Sequence, residues 1–309
     1  MTENTPDKLL AKMTVNRIEE IGGRFPGHRR AHAKGQFYEA IFTPSGEAME
    51  YTIAEHLGNK EVEAIVRFSN FLPNPISADI LAIVKGMSVQ FQLSNGGIAN
   101  LVGVTLPVFV TKSPQVFMEI LNTIKSFKEG KPNLKNIIKI FVKYPESRAA
   151  IQMIRKLKHT KSYATARYYA MHAFYLVNEN GLRTPIKFEW EPEAGVETWS
   201  AKELATLPHD YLKKEMSERL KSKEVRFQLH IVIGEQGDPT DDPTKEWSKE
   251  RRRIRAGVLR VKSIASANLN YIVYDPMILP TGIECSDDKI LSFRKNAYSI
   301  SSEKRLKGE

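Results

Sequence analysis

The sequence is almost without cysteine: its 309 residues hold one, Cys285, so no internal disulfide can form. That fits a reducing compartment. The opening segment MTENTPDKLLAKMTVNRIEEIGG lacks the apolar core of a secretory signal, so a chain without one is expected. Long hydrophobic runs are missing too. LVGVTLPVFV has about strand length and is too short to span a bilayer. A cytoplasmic protein without stable membrane insertion is the expectation. There is no GxGxxG run to argue for a nicotinamide site. Internal repeats and low-complexity segments are absent. Acidic residues are the scarcer charge, with 36 Asp and Glu against 46 Lys and Arg, a net charge of +10. Such a balance can mark a nucleic-acid partner. The basic residues are scattered, however, and neither Arg155–Lys161 nor Lys249–Arg255 is interleaved with aromatics, so a solvated face and no nucleic acid are expected. What is present is ordinary globular material, 41% hydrophobic and 27% charged. A chain of this length can bury a sizeable core.

Residues 1–22 read as a polar lead with an amphipathic helix carrying Leu9, Leu10, Met13, Ile18 and Ile21, ended by Phe25-Pro26-Gly27. Between 35 and 112, GQFYEAIFTP, EAIVRFSN, GMSVQFQLS and NLVGVTLPVFVT predict successive strands. Ser113-Pro114 opens a helix to about Lys128, and 133–158 also reads as helical. FYLVNENGLRTPIKFEW predicts a hairpin. A helix over 199–222, strands at VRFQLHIVIGEQ and GVLRVKSIAS, and a helix from Asp287 to Arg305 complete the pattern. Without a βαβ rhythm, an α+β fold on a largely antiparallel sheet follows. About eight strands make a closed barrel plausible. We divide the chain into a helical lead at 1–24 and a single domain at 25–309.

Four clusters could carry chemistry. In Arg29-Arg30-Ala31-His32-Ala33-Lys34-Gly35 the histidine could act as acid–base catalyst or be structural. In Val66-Arg67-Phe68-Ser69-Asn70 an arginine interrupts an apolar strand. It either points inward and needs an anion, or faces outward by alternation. Leu101-Val102-Gly103-Val104 reads by itself as core strand. In the segment from Asp288 to Tyr298, Arg294 and Tyr298 stand four apart, on one face of a helix. A guanidinium beside a phenol favours the phenolate, although such a pair can be simple surface packing.

Taken in order, these segments resemble the haem catalases, from about residue 24 to 305. RRAHAKG resembles the distal-histidine motif. VRFSN, with Ser77-Ala78-Asp79 and KGMSVQF, resembles the next block. LVGVTLPVF, Ser113-Pro114-Gln115-Val116-Phe117, MHAFYLVN, GDPTDDPTKEW and, after Tyr274-Asp275-Pro276, PTGIECSDDKILSFRKNAY follow in family order. The resemblance implies haem b, with a catalase-like barrel and surrounding helices. It implies that His32 moves a proton between peroxide oxygens, oriented by Ser69. Tyr298 would ligate iron, backed by Arg294, His172 and Asp288. Arg29, Arg67 and Arg305 would hold the propionates, since guanidinium forks suit carboxylates. Phe117 would stack near the distal face.

Three departures sharpen the expectation. Val104, followed by Thr105, stands where the family pattern has a distal asparagine. The chain is shorter than ordinary catalases, which points to a monomer or homodimer. Ser299-Ile300-Ser301-Ser302 replaces the familiar residues after the tyrosine. The implied activity is therefore a haem peroxidase reducing hydrogen peroxide or organic hydroperoxides with a small organic reductant, and with weak or no catalase activity. Two alternatives stay open. One is a hydroperoxide isomerase or dehydratase similar to allene oxide synthases, against which Ala31 argues because that pattern has threonine before the distal histidine. The other is a non-catalytic haem carrier or sensor, which needs neither His32 nor Ser69.

Overall fold

The structure, a computed structural model, describes residues 5–129 and 142–309. Its frame is a closed barrel of eight antiparallel strands. In chain order the strands are β1 Gly35–Pro44, β2 Val62–Asn70, β3 Lys85–Gln92, β4 Ile98–Val104, β5 Tyr168–Tyr169, β6 Phe174–Val177, β7 Arg183–Pro192, β8 Val225–Ile233, β9 Arg253–Ile264 and β10 Ile283–Cys285. Hydrogen bonding runs β8-β9-β1-β2-β3-β4-β5-β7, and β7 pairs back onto β8 to close the ring. β6 and β10 extend the sheet beyond β7.

Alternation decides which residues fill the barrel. Phe42, Phe68, Phe91, Tyr168, Trp190 and Phe227 are fully buried and belong to one core cluster. Several meet edge to face, Phe42 with Trp190 at 6.1 Å among them. Each such ring contributes roughly 1.5–3 kcal/mol by leaving water. The outer face of β1–β4 carries the intervening residues, including Arg67, Ser69 and Val104.

Six α-helices accompany the strands among the described residues. α1 Pro6–Gly22 starts on Thr5, whose side chain accepts from Lys8 N. α2 spans Pro114–Lys128, α3 Ser147–Lys156, α4 Ala201–Leu204, α5 Tyr211–Ser222 and α6 Lys289–Leu306. α1 packs against α2 and α6. Lys304 pairs with Glu19 and Lys125 with Glu20 across these contacts, at 2.7 Å each. No described helix is long and apolar enough to cross a membrane.

Several elements differ from the sequence expectation. The strand expected from Asn100 to Thr111 is β4, which starts at Ile98 and ends at Val104. Thr105 N still donates to Lys85 O of β3, and Pro107, two residues on, has no N–H for a ladder. The expected helix over 199–222 is split into α4 and α5, because Pro208 between them cannot continue a helix. His172 lies two residues before β6. Part of the helix expected at 133–158 falls on 133–141, outside the described residues, and α3 accounts for 147–156. β5 and β10, of two and three residues, were not foreseen.

Candidate active site

The site is built on the outer face of β1–β4. Directly opposed residues in neighbouring antiparallel strands point to the same side. One row reads Gly35–Ser69–Gly86–Val104 across β1, β2, β3 and β4. The next reads Phe37–Arg67–Ser88–Val102.

His32 lies over the first row. It is delivered by the irregular segment before β1 and has φ of 55°, the left-handed region that non-glycine residues seldom occupy. Arg67 donates through Nη2 to the carbonyls of His32 and Ala33, and Ala33 N donates to Leu72 O, which hold this turn. His32 Nδ1 is 2.9 Å from Ser69 Oγ, and the edge of Phe71 packs on the ring at 5.2 Å between centroids. Burial, then the charges of Arg67, Arg294 and Arg29, push the imidazole pKa down to about 3. The ring is thus neutral at physiological pH.

Arg67 resolves the two readings of its strand. It faces away from the barrel core, yet only 4% of it is exposed, because the segment around His32 covers it. Gly35 makes this possible: a Cβ there would lie 2.6 Å from the Arg67 guanidinium. Arg29 and Arg67 flank the Phe37 ring at 5.3 and 5.5 Å. Arg29 and Arg305 both donate to Ile272 O, at 2.8 and 3.2 Å. The three guanidinium groups therefore converge, and none forms an ion pair with a carboxylate among the described residues. Burial, then Arg67 and Arg305, lower the Arg29 pKa to about 8, and burial takes Arg67 to about 10. Burial also lowers Arg305. Arg67 Nε and Arg305 Nε are buried with no hydrogen-bond partner. Orphaned donors and mutually repelling cations call for an anionic partner.

On α6, Arg294 Nη2 donates to Tyr298 Oη at 2.8 Å, as four-residue spacing on a helix allows. Arg294 Nη1 is 2.9 Å from His172 Nε2, and His172 Nδ1 is 2.6 Å from Asp288 Oδ2. Arginine can only donate. Nε2 must therefore accept, and Nδ1 carries the proton that His172 donates to Asp288. Burial is the largest influence on His172 and lowers its pKa, which agrees with a neutral ring. Asp288 also caps α6 by accepting from Ile290 N and Leu291 N, so one carboxylate sets both the helix start and the imidazole.

The two halves share one electrostatic space. The charges of Arg29 and Arg67 act on His32, and both groups also feel Tyr298. Phe117 is not drawn in by any ring contact with His32; its ring meets Phe109 at 5.4 Å. Sequence reasoning passed over Phe37, Phe71, Tyr274 and Gly86. Phe37, Gly86 and Tyr274 stood inside quoted segments, but only the tertiary structure shows what they adjoin.

A family model described as Catalase matches residues 9–309. The chain belongs to the catalase family. Its relatives include proteins named Catalase-related peroxidase, from Synechococcus elongatus, 30% identical over 98% of this chain and 89% of that one, and from Mycolicibacterium paratuberculosis, 30% identical over 96% and 93%. Catalase A of Pseudomonas putida is 26% identical, and the match covers 88% of this chain but 60% of that one. The barrel superposes on a fungal catalase with a TM-score of 0.80 at 21% identity, covering 92% of this chain and 60% of that one. Family membership implies haem and its iron. The residues fit: three arginines lack a carboxylate partner among the described residues, an arginine-backed phenol can supply an anionic oxygen ligand, and a histidine–serine pair stands in the same field.

Proposed function

We propose that this catalase-family chain is a haem peroxidase that reduces hydrogen peroxide or organic hydroperoxides at the expense of a small organic reductant, with little disproportionation. The observation that carries the reading is the pairing of His32–Ser69 with Arg294–Tyr298 around arginines that have no carboxylate partner among the described residues. The reading includes haem b and a monomer or homodimer. Bound haem supplies an iron that activates the peroxide O–O bond.

The chain's own groups do the rest. Arg29, Arg67 and Arg305 would hold the propionates. Tyr298 would ligate the iron as phenolate, with the Arg294 N–H to Oη balancing its charge. Neutral His32 can donate Nδ1–H to Ser69 Oγ, which leaves Nε2 free as base. That nitrogen takes a proton from one peroxide oxygen and returns it to the other.

Val104 supports the peroxidase side. It lies on the row of Ser69 and joins an apolar cluster with Val84, Leu106 and Met171. A valine there offers no hydrogen bond to orient a second peroxide, and its neighbours suit an alkyl group. The test compares oxygen release from hydrogen peroxide with oxidation of an organic dye, in wild type and His32→Ala. Dye oxidation that depends on His32, with little oxygen, is expected. Dominant oxygen release would overturn the peroxidase reading, and loss of a fatty hydroperoxide without reductant would favour an isomerase.

A further inference from the structure

We propose that Gly86 is a positioning residue: its missing side chain is what lets the His32 imidazole lie against Ser69. The inference rests on His32 as the acid–base group, but its geometry stands apart from that reading. Gly86 is the direct cross-strand partner of Ser69 and sits between Ser69 and Val104 on one row of the outer face. A Cβ at this position would lie 2.7 Å from His32 Cε1, 2.8 Å from His32 Nδ1 and 2.9 Å from Ser69 Oγ. Real Cβ atoms do not approach so closely. The ring therefore rests on bare strand backbone.

The imidazole has little room to yield. Phe71 packs edge-on against it. The backbone of residues 32 and 33 is pinned by Arg67 and by Leu72 O. The left-handed φ of His32 is a conformation that a non-glycine residue keeps only when its surroundings hold it. A methyl at 86 must then push the ring, with its hydrogen bond to Ser69, away from the position over the row. Glycine within a strand is otherwise a poor choice, since it packs nothing and is entropically loose. Without the imidazole above it, an alanine at 86 would meet only the Ser69 hydroxyl, at 2.9 Å, which can rotate aside.

The test uses haem-loaded protein and two readouts besides turnover: haem content from the Soret band, and the rate at which the ferric protein takes up cyanide. Hydrogen cyanide must lose a proton to bind as the anion, so the rate reports a well-placed base without peroxide chemistry. Gly86→Ala is expected to keep its haem and to take up cyanide about a hundredfold more slowly, the scale of a misplaced catalytic group. Gly103→Ala is the control. It lies on β4, its added Cβ would meet Tyr168 at 3.3 Å inside the barrel, and it should leave the rate unchanged. In a His32→Ala background, Gly86→Ala should slow cyanide no further. A wild-type rate in Gly86→Ala, or additive slowing in the double variant, overturns the proposal. If Gly86→Ala alone fails to fold while the double variant folds, the clash with the ring is shown directly; if neither folds, the proposal fails. If His32→Ala leaves cyanide uptake unchanged, the acid–base reading is wrong. The positioning claim is then decided by the His32 ring resonances in Gly86→Ala, which must move to sustain it.

Discussion

Asp288 Oδ2 accepts from His172 Nδ1 at 2.6 Å, between two almost fully buried side chains 116 residues apart in the chain. The same carboxylate caps α6, and the far nitrogen of the imidazole accepts from Arg294. Asp288, which can only accept, and Arg294, which can only donate, thus agree on the tautomer of the imidazole held between them.

Asp288→Asn tests that polarity. The amide can still cap α6, but its N–H2 would face the N–H of His172. Reversing the imidazole tautomer only moves the donor–donor conflict to Arg294. The expected outcome is a loss of about 1–3 kcal/mol in urea unfolding, as for a buried donor left unpaired. The haem charge-transfer band should shift as Arg294 loses its hold on Tyr298. An unshifted band would show that the chain does not reach the ligand.

Tyr298→Phe removes the oxygen that would bind iron. The haem-loaded variant should lose the phenolate charge-transfer band and release haem faster to apomyoglobin. A spectrum like that of wild type would refute the ligand assignment.

Arg67→Met separates haem binding from folding. Haem retention should weaken at least tenfold, since a charge-assisted contact contributes about 1.5–3 kcal/mol. Without haem, stability should change much less. The variant loses two hydrogen bonds to backbone carbonyls but also removes a buried cation whose pKa burial lowers to about 10. Urea curves with and without haem check this. Equal losses in both would show that Arg67 serves the fold alone.

Acid should weaken the fold in two windows. His32 and His56 are each held down to about 3 by burial, against an unfolded value near 6.5. Between those values the unfolded chain binds more protons, so stability falls as pH drops from about 6.5 toward 3. Glu19, lowered by its bonds to Lys304 and Arg30 against the opposing pull of burial, and Asp210, lowered chiefly by Lys34, lose their contribution only below the ordinary carboxylate range. His56 stacks on Phe91 at 4.5 Å and stands apart from the candidate site, so it isolates the first window. In urea unfolding, His56→Gln should lose less stability than wild type between pH 7 and pH 5. An unchanged slope would remove His56 from the account.

Val104→Asn should raise oxygen release relative to dye oxidation. Val104 is 7% exposed in an apolar cluster, so an amide without partners there would cost about 1–3 kcal/mol in thermal or urea unfolding. Destabilisation without a change in the oxygen-to-dye ratio would sink the inference from this residue.

Local chemistry was enough for much of this protein. Alternation set Phe68 against Arg67 and Ser69 on β2, and four-residue spacing placed Arg294 beside Tyr298 on α6. Those are relations between near neighbours, carried by strand and helix periods. The identity of Val104 was equally plain, while its place on the row of Ser69 was not. What needed the tertiary structure spans long stretches of chain. Closure of the barrel depends on β7 meeting β8, and β5 and β10 are too short to carry a periodic signal. Arg67 is outside the barrel yet buried, because a segment thirty-odd residues earlier folds over it. Gly86 adjoins His32 only through the register of β2 on β3. Register and burial are decided by which distant surfaces leave water together, a sum over the whole fold that no short window of sequence contains.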